Sequence, residues 1–241
     1  MTETVDLHCH WLPGIDDGPR DIEDSVAILR CLRAVGMTRV VATPHMRPGL
    51  YDNTRPQILA AFERTVPQLK RHSALPAVSV SSEHYFDELV YQRLVAGEGL
   101  PLPGGRAVLI EFAGSASPAG LDHRLADLRR CGLLPVIAHP ERYQWLWDRP
   151  EVLERLIDDG AACVLNAAAL VGGNGRRVQN CAEDFLDRGL YHATCSDAHE
   201  PEDVTAFADG LAHIESDFGP DEVEFLLRGG PARLLAGRLP E

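Results

Sequence analysis

The sequence predicts an α/β fold: a parallel sheet of about seven βα units, rolled into a closed or nearly closed barrel. Three observations carry this. Short apolar, β-branched runs alternate with longer amphipathic stretches along the chain. Gly36, Gly132, Gly160 and Gly189 each stand just before such a run, where a helix C-cap belongs. The length, 241 residues, suits one barrel better than two domains. An open doubly wound sheet is the alternative, but no G-x-G-x-x-G follows the first run and no Walker P-loop is present.

The first strand is read at Val5–His8, and Ile22–Val35 follows with Ile22, Val26, Leu29 and Leu32 at helical spacing. Arg39–Thr43 is the second strand, followed by a helical pattern over Thr54–Arg71. Ala77–Ser81 and Ala107–Glu111 are the third and fourth strands, with no helix read between them. A helix at Pro118–Cys131 leads to the fifth strand, Leu134–Ala138, and one at Pro150–Asp159 to the sixth, Ala162–Asn166. Gly172-Gly173-Asn174-Gly175 comes late and reads as a loop rather than a phosphate cradle. Arg176–Arg188 is helical and His192–Cys195 is the seventh strand. Helices at Pro201–Ser216 and Asp221–Leu227 and a turn at Pro231–Ala236 close the chain. Several helices begin with Pro in the first turn, a favoured position. Residues 1–241 are expected to form a single domain.

Composition narrows the function. Lys and Arg number 23 against 36 Asp and Glu, a net charge of −13. A phosphate backbone needs a basic footprint, so nucleic acid is not the expected partner. No signal-peptide pattern and no apolar run near 18 residues is seen, so no membrane insertion and a cytoplasmic location are expected. The six cysteines form no C-x-x-C pair, and none opens a C-x5-R loop, so they read as reduced, mostly buried residues.

The chemistry stands at the strand ends. The first strand runs into His8 and His10, the second into His45, the third into Glu83 and the fourth into Glu111. The fifth runs into His139, the sixth ends in Asn166, and the seventh runs into Asp197 and His199. In a βα barrel these ends converge on one face. His8 and His10 alternate, so both point inward while Cys9 points outward. Imidazole plus carboxylate, without thiolate, suits Mn, Fe or Zn rather than a structural zinc site. So many ligands exceed the needs of one ion; two or three ions bridged by a carboxylate fit better and suit phosphate-ester chemistry. Singly, each residue has a plainer role as a strand-end turn or an ion-pair partner. In Asp16-Asp17-Gly18-Pro19, Asp17 more than Asp16 is read as a ligand; the alternative is a polar turn before a helix capped by Asp21.

The segments D-L-H-C-H, D-D-G-P-R, T-P-H-M-R-P-G, S-S-E-H, I-E-F, A-H-P-E-R-Y and C-S-D-A-H resemble, in order, the metal motifs of the PHP (polymerase and histidinol phosphatase) superfamily. The chain looks most similar to the metal-dependent protein-tyrosine phosphatases of bacterial capsule and exopolysaccharide operons. The resemblance covers Asp6 to about Leu235. It implies a distorted (β/α)7, TIM-like barrel of the PHP type with three divalent metal ions, usually manganese. His8 and His10 would bind one ion with Asp197. Glu83 would bridge two, Glu111 and His139 would hold the second, and Asp17, His45 and His199 the third. The implied reaction is hydrolysis of phosphotyrosine by a metal-bound hydroxide. The implied partner is an autophosphorylating tyrosine kinase of polysaccharide export. A small-molecule phosphoesterase, such as a histidinol-phosphate phosphatase, is the alternative within the superfamily.

Arg142 matches the arginine of the H-x-E-R-Y segment, and its planar fork suits phosphate oxygens. Arg47, two residues past His45, is the second candidate for that role. Relatives would carry a further basic residue after the S-D-x-H motif; here Glu200–Val204 is acidic, and Arg176 or Arg177, in the glycine-rich loop, could substitute. Tyr143, Trp145, Trp147 and Tyr51 lie near the expected mouth, either lining a slot for a phenyl ring or packing the loop. Of these, Tyr143 is expected to contact substrate.

Overall fold

In the first strand, β1 (Val5–Cys9), every residue is buried, as in a strand covered on both faces. A computed structural model describes residues 3–239; of the expected domain 1–241, residues 1, 2, 240 and 241 lie outside the described residues. The other strands are β2 (Arg39–Ala42), β3 (His45–Met46), β4 (Ala77–Val80), β5 (Glu83–Tyr85), β6 (Ala107–Glu111), β7 (Leu134–Ala138), β8 (Ala162–Asn166) and β9 (Ala193–Cys195). All their pairings are parallel. The helices between them are α1 (Ile22–Ala34), α2 (Arg55–Leu69), α3 (Glu88–Val95), α4 (Leu121–Arg130), α5 (Pro150–Asp158) and α6 (Arg176–Asp187). α7 (Asp203–Phe218), α8 (Pro220–Glu224) and α9 (Gly230–Leu235) follow β9. This is the expected βα succession.

Two of the expected strands, matched by β2 and β4, are each continued after a break by a short strand that was not expected. The strand read at Arg39–Thr43 is interrupted at Thr43-Pro44 and resumes as β3; the next is interrupted at Ser81-Ser82 and resumes as β5. Pro44 has no N–H to give a ladder. Ser82 Oγ donates to the Pro44 carbonyl at 2.8 Å, tying the two breaks together. Hydrogen bonding therefore divides the strands into a three-stranded sheet, β1-β2-β4, and a six-stranded one, β3-β5-β6-β7-β8-β9. Past the last strand, Asp197 N donates to the His8 carbonyl and His10 N to the Ala198 carbonyl, both at 2.9 Å. These bonds bring the ends of β1 and β9 side by side.

α3 is a helix the sequence pattern did not reveal. It has eight residues, too few for a clear period, and starts where the Asp87 side chain accepts from Val90 N at 2.8 Å. The chain end also differs from expectation. α8 runs through a π-helical turn, Phe225–Gly229, into α9, where a turn was expected. Gly230 makes this possible, since a Cβ there would stand 1.7 Å from the His192 carbonyl oxygen.

Two apolar clusters fill the structure. The larger packs strands against helices. The smaller lies among the strands and includes Leu7, Val41, Leu109, Val136, Val164 and Cys195. Along β6, β8 and β9 the residues of this smaller cluster alternate, and two residues further on the same faces carry Glu111, Asn166 and Asp197. In β1 the register shifts between Asp6 and Cys9, as at a bulge. The apolar plug thus forms the floor of the polar site.

Candidate metal centre

Glu83 is the hub of the site. Its carboxylate is buried, with Oε1 3.0 Å from His139 Nε2 and 3.4 Å from His8 Nε2. Its Oε2 is 2.9 Å from His45 Nδ1 and 3.5 Å from His10 Nε2. Asp197 Oδ1 lies 3.2 Å from His8 Nε2 and 3.5 Å from His10 Nε2. Asp17 Oδ1 lies 3.5 Å from both His45 Nε2 and His199 Nε2. Four overlapping ligand groups result: His8, His10 and Asp197; His8, Glu83 and His139; His45, Glu83 and Glu111; and His10, Asp17, His45 and His199.

Local structure holds these side chains in place. Asp197 and His139 both sit at positive φ, 50° and 32°, unusual for residues other than glycine and a form of strain found at functional sites. His139 is held by its own N–H, which donates to Val164 O at 2.8 Å. The segment before Asp197 is stapled to β1: Ser196 Oγ donates to Asp6 Oδ2 at 2.6 Å, and Ser196 N to Asp6 Oδ1 at 3.2 Å. Asp197 Oδ2 takes Arg142 at 2.8 Å and the Asn166 amide at 3.2 Å, which leaves Oδ1 for the imidazoles. Gly18 lets the acidic loop lie against β1, since a Cβ there would come within 2.1 Å of the His10 carbonyl oxygen.

The electrostatics call for cations. Burial alone would raise the Glu83 pKa, but His8, the hydrogen bond from His139 and the close imidazoles of His10 and His45 hold it well below the usual value. Burial, then the charge of Glu83, pushes Glu111 up to about 8. Burial would likewise raise Asp197, yet Arg142, His8 and His139 hold it far down. Glu111 Oε2, His8 Nδ1 and His139 Nδ1 are buried without a hydrogen-bond partner. Crowded carboxylates, imidazole donors and an orphaned carboxylate oxygen fit divalent ions with mixed N and O ligation. Cys9, Cys163 and Cys195 do not compete as nucleophiles, because burial pushes their thiols up. Beside Asp17 and His199 opens a pocket of about 550 Å³, with Arg20, Asp24, Glu200 and Glu202 in its wall.

Residues 4–236 match the model of a family described as capsular polysaccharide synthesis, CpsB/CapC. The chain belongs to this family. It is 30% identical over 232 residues to the tyrosine-protein phosphatase YwqE of Bacillus subtilis, covering 96% of this chain and 91% of the relative. To the tyrosine-protein phosphatase CpsB of Streptococcus pneumoniae it is 26% identical over 241 residues, covering 98% and 99%. A crystal structure from work on YwqE and CpsB, described as unique metal-dependent tyrosine phosphatases, superposes with a TM-score of 0.89 at 29% identity, covering 98% and 96%. A phosphotriesterase homology protein from Escherichia coli shares the fold, with a TM-score of 0.59 at 16% identity and coverage of 97% and 99%.

In this CpsB/CapC chain, all nine residues expected as ligands from the sequence come together. Their grouping departs from the expected one in two places. Among the described residues no group holds both Glu111 and His139: Glu111 sits with His45, and His139 with His8. His10 joins the set of Asp17, His45 and His199 as well as that of His8 and Asp197. Arg142 stands at the cluster on Asp197. Arg47 lies beside it, its guanidinium 4.2 Å from the centre of the Tyr85 ring.

Tyr143 is not a substrate contact. It is buried, its hydroxyl donates to Ala138 O at 2.8 Å and accepts from Phe112 N at 3.1 Å, and its ring stacks on Trp145. Trp145 and Trp147 spend their indole N–H groups on the carbonyls of Ala113 and Glu141. Tyr51 stacks on His45 with ring centroids 5.4 Å apart, while Tyr143 meets the cluster from the core side, its ring 5.9 Å from that of His139. Arg177 is paired with Asp148 over the Trp147 ring and supplies no cation to the site. Asp21 caps α1, accepting from Asp24 N at 3.1 Å. Asn166, Asp6 and Asp16 support the site without having been read as supports. For Asp6 and Asn166 the available signal was a carboxylate or amide within an apolar strand; Asp16, in the loop after β1, carried none.

Proposed function

We propose that this chain is a metal-dependent protein-tyrosine phosphatase, hydrolysing phosphotyrosine in a protein. One observation carries this reading: Glu83 shares its two oxygens among four imidazoles, with Glu111 and Asp197 alongside. The names of the relatives, tyrosine-protein phosphatases described as metal-dependent, support the substrate class.

The proposed set is three divalent ions, manganese first, with iron or zinc as alternatives. His8, His10 and Asp197 are assigned to one; Glu83 would be shared with a second, to which Glu111 is assigned from the His45 side of Glu83 and His139 from its His8 side; Asp17, His45 and His199 are assigned to the third. Ions held there supply an activated water and positive charge for the phosphoryl oxygens. The protein's part is to orient and neutralise. Arg142 has one guanidinium nitrogen on Asp197 and a side chain 30% exposed, so its fork reaches from the ligand set towards the solvent side. It is assigned to the non-bridging phosphate oxygens. Arg47, on the neighbouring loop, is assigned to the same charge. A tyrosinate is a good leaving group, which lowers the demand for a strong general acid.

The proposed substrate is an autophosphorylating tyrosine kinase of polysaccharide export, in keeping with the family's description. Among the described residues no helix is long and apolar enough to cross a membrane, in keeping with the proposed cytoplasmic site of action. The family match over 4–236 supports one phosphatase domain over 1–241. The test is phosphate release from a Tyr-phosphorylated peptide beside histidinol phosphate, with manganese and with a chelator. Manganese-dependent release from the peptide is the expected result. Release from histidinol phosphate alone would move the protein to the small-molecule phosphoesterases.

A further inference from the structure

We infer that Asp16 is a positioning residue that sets which ring nitrogen of His10 faces the metal centre, and thereby assigns His10 to the ion site of His8 and Asp197. This rests on the reading that divalent ions occupy the centre, not on the identity of the substrate.

His10 belongs to two ligand groups, so its allegiance is open on proximity alone. Its Nδ1 lies 2.7 Å from Asp16 Oδ2 but 4.0 Å from Asp17 Oδ1. A carboxylate only accepts hydrogen bonds, so the partner nitrogen carries the proton. The lone pair then resides on Nε2. That nitrogen lies 3.1 Å from His8 Nε2 and 3.5 Å from both Glu83 Oε2 and Asp197 Oδ1. His10 is therefore a ligand beside His8, and Asp17, His45 and His199 are left to complete their own site.

Asp16 does this from a rigid seat. Its side chain is fully buried. The oxygen that takes His10 also accepts from the backbone N–H of His45 at 3.1 Å, and the other accepts from Gly18 N at 3.1 Å. One carboxylate thus ties together the end of β1, the start of β3 and the loop that carries Asp17. Carboxylates behind ligating histidines commonly fix the tautomer and ring orientation, and their loss costs about 10–100-fold in metal affinity.

The test uses the zinc-loaded, diamagnetic protein and its Asp16→Ala and Asp16→Asn variants. Long-range 15N–1H spectra read the His10 tautomer, and calorimetric titration reads metal affinity. The wild type is expected to show a protonated Nδ1 and a ligating Nε2. Asp16→Ala is expected to lose about 10–100-fold in affinity, while Asp16→Asn, whose amide oxygen still accepts from Nδ1, keeps most of it. A wild type with a protonated Nε2 would overturn the inference, and so would Asp16→Ala binding metal as tightly as wild type. If no phosphorylated substrate is turned over while tautomer and affinities come out as stated, the phosphatase reading falls and the inference stands.

Discussion

Glu83 Oε1 lies 3.0 Å from His139 Nε2, although the two residues are 56 positions apart and their strands, β5 and β7, are separated by β6. The contact exists because parallel strands deliver their ends to one face. It makes Glu83 the side chain on which the most ligands depend. Glu83→Gln is expected to abolish tight binding of more than one ion per chain and to lower kcat/KM by at least about 100-fold. Metal analysis after dialysis, beside the kinetics, checks this.

Arg142 is expected to be sensitive even to a conservative change. Lysine keeps the charge but loses the fork that spans Asp197 and the substrate side. Arg142→Lys should lower kcat/KM by about 10²–10³, the scale of losing one transition-state donor. Arg47→Ala should cost less, because Arg47 rests on Tyr85 rather than on a ligand. Steady-state kinetics of the two variants give the comparison.

Tyr143→Phe should change stability rather than catalysis. It removes the hydroxyl that joins Ala138 O to Phe112 N and leaves both buried groups short of a partner. The expected loss is about 1–3 kcal/mol with KM for a phosphotyrosyl peptide unchanged. Urea unfolding and kinetics on one sample decide it.

His192 predicts an acid-sensitive fold. Burial holds its pKa down at about 4, and Cys163 N donates to its Nδ1 at 3.2 Å, which requires a neutral ring. In the unfolded chain the ring takes its proton near 6.5. The neutral ring thus contributes stability that is full above the unfolded value and is lost as pH falls towards the folded value. At pH 5 the loss from this group is about 2 kcal/mol. The unfolding free energies from urea titrations at pH 7 and pH 5 should therefore differ by about 2 kcal/mol less in His192→Gln than in wild type.

The ligands were legible because they follow apolar runs in register, and strand ends in a βα fold share one face. The ends of the strands at Thr43 and Ser81 were legible; that each resumes just beyond, as β3 and β5, was not, since two or three residues carry no alternation. α3 escaped because eight residues barely exceed two turns. Tyr143 was misread because adjacency to Arg142 in sequence says nothing about direction, and its side chain turns into the core. Asp16 was hidden by its resemblance to any polar turn; only the fold shows that His10 and the His45 amide meet on its carboxylate.

The most direct test is phosphate release from a Tyr-phosphorylated peptide after chelation and stepwise return of manganese, for wild type and His139→Ala. Wild type is expected to regain activity with the added metal, and His139→Ala to stay at background while remaining folded. Undiminished release by the chelated wild type, or full activity in His139→Ala, would contradict a metal-dependent phosphatase centred on Glu83 and His139.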